Sequence, residues 1–478
     1  MKKLDPLHFN IRSWPLWSFV FFFCVSCGGI NSGNNSDIDS SLIQKSVIGD
    51  SIQTGKVITR VICSEDRSQS YALYVPKVNT DKPLPVVYFF DAHGDGALPV
   101  IKYKALADSF HFILAGSNNS KNGNDWNDAE NTWSVLNDDV QKKVSVDPNR
   151  IYACGFSGGA KVATFLALHH NNISGVIANG AGLEDIITAG KLNFSFTAIT
   201  GNGDLNMTDL VSIDKILDKN FSRHRIIFFN GIHEWAPEST MMTAFDGLKF
   251  DAMRNNLIPA DSVFINRFDS LFRKKVKKDL NEKSFLEAAQ ECKLAYSMLD
   301  DVSDESAWFH KKEDSVSNTG LFKKQQQAHQ QILQKEGNIK SVFQQHFQTI
   351  DPQYWNKTIT EVKSKAKGNS PEAAMYKRLD AYLSLAFYSL SNQLINQNKN
   401  EPAEYFVDLY KKDDPSNTEA WYFSAILDAR KNNAPKAEAD LEKAIALGFN
   451  DKKRLEQQPE FTNSKVNLDL QKLQSQMK

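Results

Sequence analysis

The 478-residue chain is short of four things, and each shortage narrows what it can be. It lacks an excess of charge of either sign. With 56 Lys+Arg against 57 Asp+Glu the net is -1, so no basic field exists to neutralise a nucleic-acid backbone. It is poor in cysteine. Of the five, Cys63, Cys154 and Cys292 stand far apart with no Cys-x-x-Cys spacing, which reads as buried thiols and excludes a disulfide framework or a zinc site of thiolates. It has no long apolar run: the one at 14–27 (WPLWSFVFFFCVSC) falls short of the ~20 residues a spanning helix needs. Glycine is scarce late in the chain, because 20 of 24 lie at or before Gly247 and only Gly320, Gly337, Gly368 and Gly448 follow. A turn-rich half therefore precedes an almost turn-free one. At ~100–200 residues per domain the length allows two to four domains. A hydrophobic share of 41% with 11% aromatics excludes global disorder.

Lys2, Lys3 and Arg12 precede the run at 14–27, whose length suits the core of a secretory signal. Its end, Val25-Ser26-Cys27-Gly28, resembles a bacterial lipobox, although Cys24 stands where leucine is usual. The resemblance implies cleavage before Cys27, lipidation of that cysteine and a polar tether over 28–52. The mature protein is then extracytoplasmic and held to a membrane, outer membrane or cell surface, through its lipid.

Between 53 and 257 short apolar runs alternate with helical stretches. Residues 57–62 and 71–76 read as an antiparallel pair. Further strands read at 85–91, 112–115, 151–155, 175–178, 194–200 and 225–229, with helices at 100–110, 135–144, 160–170, 210–219 and 239–254. Two leading strands followed by repeated strand–helix units predict an α/β domain with a mostly parallel, eight-stranded sheet covered on both faces.

Three loops of this domain carry chemistry. Gly155-Phe156-Ser157-Gly158-Gly159 matches GxSxG, with the strand IYACG entering and the helix AKVATFLALHH leaving. That context exposes a serine on a sharp turn. A serine hydroxyl is a poor nucleophile unless an imidazole takes its proton and a carboxylate orients the imidazole. In this kind of sheet the order is serine, acid, histidine. Asp204 follows the strand FTAIT and His233 follows IIFFN, each just past a strand end; Asp209 is the rival acid and Glu234 a rim residue. An oxyanion needs backbone donors. The amide of Gly158 opens the helix after the serine, and the amide of Asp95, in the loop DAHGDG, is the second candidate. His93 in that loop reads as a structural hydrogen-bonder.

The Asn-rich segment 118–130 lacks the carboxylates of a calcium loop and is expected to line the pocket with Trp126 and Trp133. About 14 residues separate the strand at 175–178 and its exit from the one at 194–200, too few for a lid. No HExxH, GxGxxG or GxxxxGK[ST] occurs, so neither metal nor cofactor is expected.

The segments FFDAHGDG, GSNN, VDPNRIYACGFSGGAK, GNGDLN and FNGIHEW resemble the α/β-hydrolases. Within them they look closest to the dienelactone hydrolase, feruloyl esterase and polyhydroxybutyrate depolymerase-like lineage. The resemblance covers roughly 200 residues and implies Ser157, Asp204 and His233 as a catalytic triad acting on an ester; a peptidase is the nearest enzymatic alternative. One departure is Ile232, where the lineage has glycine before the histidine.

From 258 to 478 the composition turns to Lys, Gln, Glu, Ala and Leu. Phe387, Ser391, Ala403, Val407, Tyr410 and Pro415 recur 34 residues on as Trp421, Ala425, Ala437, Leu441, Ala444 and Phe449. The period resembles tetratricopeptide (TPR) repeats, over about 384–451, and implies packed helix pairs offering a protein- or peptide-binding face. A weaker unit includes Phe272, Val276, Ala288, Cys292 and Ala295. A scaffold lipoprotein with a vestigial hydrolase domain is the rival reading.

Overall fold

A computed structural model describes residues 43–44, 52–462 and 468–477. The expected signal segment 1–27 with Cys27 lies outside them, as does nearly all of the expected tether 28–52. Among the described residues, no helix is long and apolar enough to cross a membrane. The chain divides into two compact units, one of them Ser36–Gln334 and the other including Lys335–Lys478. The division falls at 334/335, far beyond the change of composition at 257/258. The helices Ser262–Asn281, Phe285–Leu299 and Ser306–Ser317 extend the core of the sheet unit. Phe268, Phe272, Cys292, Met298 and Phe309 share one buried cluster with Phe245 and Phe250.

Among the described residues the sheet has nine strands: β1 (Ile43–Gln44), β2 (Val57–Ile62), β3 (Ser70–Tyr74), β4 (Leu84–Phe90), β5 (Ile113–Ser117), β6 (Val146–Phe156), β7 (Ile173–Asn179), β8 (Ser195–Gly201) and β9 (His224–Phe229). Eight are those expected; the two-residue β1 adds a parallel edge beside β2. The order is β1-β2-β3-β5-β4-β6-β7-β8-β9. β3 runs antiparallel to both β2 and β5, and every pair from β5 to β9 is parallel. β4 shows why the sheet is covered twice. Val87 and Phe89 enter one apolar cluster, while Val86, Tyr88 and Phe90 enter another on the opposite face, as a period of two requires. Parallel pairing brings the C-terminal ends of β4, β6, β7, β8 and β9 to one edge, where loops can meet.

In the second unit the helices Pro371–Asn396, Asn400–Asp413, Thr418–Arg430 and Ala434–Ala446 pack each on the next. The 34-residue period is physical. Asn398 and Asn432 both turn with positive φ, 56° and 58°, between the helices of their pairs. Ala403, Ala425, Ala437 and Ala444 are wholly buried, so helices approach closely where the side chain is one methyl group. Trp421 is the exception among the large positions: it is only partly buried and donates its indole N–H to Pro415 O at 3.0 Å.

Candidate active site

Strand β6 delivers Ser157 on a turn that few residues tolerate, with φ 54° and ψ -120°. The helix Gly158–His169 begins at once. This turn demands glycine on both sides for steric reasons. A Cβ on Gly155 would strike the backbone of Gly159, and one on Gly159 would strike the carbonyl of Phe90. The serine amide donates to Asn179 O at 2.9 Å, so β7 holds the turn in place.

His233 receives both partners expected of it. Its Nε2 lies 3.0 Å from Ser157 Oγ and its Nδ1 lies 3.0 Å from Asp204 Oδ1. Asp204 is fully buried, and its Oδ1 also accepts the amide of Asn206 at 2.8 Å. A carboxylate accepting at Nδ1 fixes the tautomer in which Nε2 can take a proton from the hydroxyl. Ser157 itself is partly open to solvent. Asp209, the rival, is exposed in the first turn of the helix Met207–Lys219. Glu234 Oε1 accepts the amide of Ile232 at 3.3 Å and so shapes the loop carrying His233.

The loops holding this array are tied to one another. The amides of Asn202 and Gly203, before the acid, donate to Phe229 O and Gly231 O, before the histidine. Buried Asp91, at the end of β4, accepts the Trp235 indole N–H at 2.8 Å and the His93 amide at 2.8 Å. Burial works against its charge, but these donors and the nearby His93 ring hold its pKa below the usual carboxylate value. His93 thus has the structural role expected of it. Phe156 packs against both His233 and Trp235, with ring centroids 4.7 and 5.5 Å away.

Two residues that motif reading passes over belong to the site. Asn179 is fully buried at the end of β7; besides holding Ser157 through its carbonyl, its Oδ1 accepts the amide of Ala236 at 2.8 Å and its Nδ2 donates to Glu234 O at 3.3 Å. One residue therefore braces the serine turn through its carbonyl and the histidine loop through its side chain. Asn122 is the other. Its amide donates to Ala92 O at 2.8 Å, and its carboxamide occupies the space that a Cβ on Gly158 would need. The only sequence signal for either is an asparagine just past a strand or inside an Asn-rich loop, which is common elsewhere.

Asp95 lies on the exposed side of its loop, where its carboxylate and carbonyl both face the Leu98 amide and open the helix Ala97–Lys102. Of the segment 118–130, only Asn122 reaches Gly158 among the positions described above. Trp126, partly buried, stacks on Phe165 at 4.4 Å, and Trp133, buried in the core, meets Tyr88 edge-on at 5.0 Å. Trp133 is a core residue, and Trp126 packs at the margin of the same cluster.

Sheet order, the sharp serine turn and the order of the three loops define an α/β-hydrolase fold. No family model and no curated protein matches the chain. Solved structures do. A ferulic acid esterase is 17% identical over 41% of this chain and 97% of that one, with a TM-score of 0.32. S-formylglutathione hydrolase from Staphylococcus aureus is 12% identical over 38% and 90%, with a TM-score of 0.33. The acylaminoacyl peptidase of Pyrococcus horikoshii is 10% identical, and the chain spans only 39% of its length, with a TM-score of 0.29.

Proposed function

We propose that the protein is a serine hydrolase that cleaves carboxylic esters through an acyl-enzyme. The observation that carries this reading is the unbroken relay from Ser157 Oγ to His233 to buried Asp204, with 3.0 Å at each step. Ser157 Oγ attacks the acyl carbon as its proton passes to His233 Nε2, and Asp204 stabilises the imidazolium that forms. The amide of Gly158 receives the oxyanion, with the Asp95 amide and the Asn122 carboxamide as candidates for the second donor. Collapse expels the alcohol, which takes the proton from His233. Water, deprotonated by the same nitrogen, then attacks the acyl carbon, releases the acid and restores the serine. The resemblance seen in sequence favours acyl esters on polysaccharide or short polyesters over a peptide bond.

The test is hydrolysis of short p-nitrophenyl esters by the wild type and by Ser157→Ala. A loss of at least ~10³-fold is expected from removing the nucleophile. Equal rates, or no turnover of any ester in a panel of acyl lengths, would overturn the reading.

Two further parts of the proposal rest on other observations. The 34-residue period of packed helix pairs supports a TPR-like surface for a protein or peptide partner. The lipobox-like 24–28 supports export and anchoring through Cys27. Labelled palmitate that still enters Cys27→Ser would sink the anchor.

A further inference from the structure

At the ends of the helix Met207–Lys219 and strand β9 that lie away from Asp204 and His233, a second cluster of side chains converges. Asp214 and Asp218 are four residues apart and share a helix face. His224 opens β9. Its Nδ1 is 2.8 Å from the carbonyl of Ser222, which can only accept, so Nδ1 carries a proton and, in the neutral tautomer this allows, the lone pair lies at Nε2. The His224 side chain is 8% exposed, and Nε2 makes no hydrogen bond. It points at Asp214 Oδ1, 3.4 Å away, and Asp218 Oδ1, 3.3 Å away.

With Nε2 unprotonated the three atoms are all acceptors, and they repel unless a cation lies between them. The two separations from Nε2, 3.4 and 3.3 Å, fit a small tetrahedral cation. Two ligand atoms each about 2.0–2.1 Å from a tetrahedral zinc are about 3.3–3.4 Å apart. The neighbours match as well. The remaining oxygens of both carboxylates, Asp214 Oδ2 and Asp218 Oδ2, are held by Lys293 Nζ at 3.2 and 3.0 Å. The Oδ1 atoms are thereby turned toward His224. An imidazole that gives its far N–H to a backbone carbonyl, beside carboxylates fixed through their second oxygens, is the outer-shell arrangement of protein metal sites.

We propose that Asp214, Asp218 and His224 bind one zinc-class divalent cation, oriented by Ser222 and Lys293, with the fourth position left to solvent. The cation ties the helix that follows the Asp204 loop to the strand that leads to His233, so it steadies the fold and takes no part in chemistry at Ser157. The rival arrangement is an imidazolium between two carboxylates, and metal titration distinguishes the two. The full chain is stripped with a chelator and titrated with Zn²⁺ by calorimetry, then with Co²⁺ by visible absorption. One saturable site, tetrahedral Co²⁺ bands and a rise in Tm are expected. His224→Gln and Asp218→Asn should abolish them; Asp218 is 49% exposed, so its variant does not endanger folding. Lys293→Met should weaken binding by about 10–100-fold, the usual cost of an outer-shell partner. Absence of Zn²⁺ binding by the wild type, or binding unchanged in Asp218→Asn, overturns the site. None of these readouts depends on ester hydrolysis.

Discussion

The two units put the same elements of protein chemistry to opposite uses. Around the sheet, buried polar side chains sit at strand ends and reach across the chain. The Asp91–Trp235 bond spans 144 positions, and His233–Ser157 spans 76. In the helical unit the repeated positions are apolar or small, and they meet neighbours a turn or one helix away. One of its buried carboxylates is poorly served: both oxygens of Asp413 lack a hydrogen bond, and burial pushes that group's pKa up. Asp204 differs in that one oxygen, Oδ1, accepts from both an amide and an imidazole, while its Oδ2 is without a hydrogen bond. Long polar bonds such as these gather around Ser157 and His233, whereas the repeated positions of the helical unit are held by packing.

This contrast can be broken in order of effect. Asp204→Asn should cost activity most, by ~10³–10⁴-fold in kcat with little change in KM, because the wrong tautomer of His233 is held. Steady-state kinetics with the same esters check it, and a loss under tenfold would make Asp204 a bystander.

Next comes Asp246→Asn, which tests burial without chemistry. Burial pushes the Asp246 carboxyl up from 3.8 to about 7, against the pull of Arg267, Lys249 and Lys275. The folded state then keeps a proton that the unfolded state releases. Below about pH 4 the two states hold it equally, through pH 4–7 the wild type loses stability, and above 7 the penalty is constant. The variant should therefore gain up to roughly 4 kcal/mol above pH 7 and nothing near pH 4. Urea midpoints across that range decide the matter, and a gain independent of pH would refute the titration.

Asn179→Ala should lower kcat by about 10–100-fold and stability by about 1–3 kcal/mol, since buried amide partners are left unmet. Asn179→Asp, which keeps the acceptor for Ala236, should recover part of both. Smallest for catalysis is Ala403→Leu. Overpacking that wholly buried helix contact should cost about 1–3 kcal/mol in the helical unit and leave ester hydrolysis unchanged. A matched fall in kcat would show that the two uses are not separate.

Much of this was legible in the residues. PVVYFF announces a strand buried on both faces, GFSGG between strand and helix announces the serine turn, and Asp204 and His233 each follow a strand end. The repeat shows in Ala403 and Ala437. Trp133 misled because a helical aromatic beside an Asn-rich loop looks the same in sequence whether it lines a cleft or fills a core. The composition boundary at 257/258 misled for a related reason: helix-rich composition says nothing about which core a helix joins, and Phe264, Phe268 and Phe272 join the core of the sheet unit.

Sequence by itself determined what repeats locally: the alternation of strand and helix, the glycines beside Ser157 and the order of serine, acid and histidine. These follow from periodicity and backbone sterics, which act between near neighbours. Tertiary structure alone decided which distant groups meet. It placed Asn179 between two loops, set Asn122 over Gly158 and turned His224 toward Asp214 and Asp218. Such meetings depend on strand order and register, which no short stretch of chain encodes.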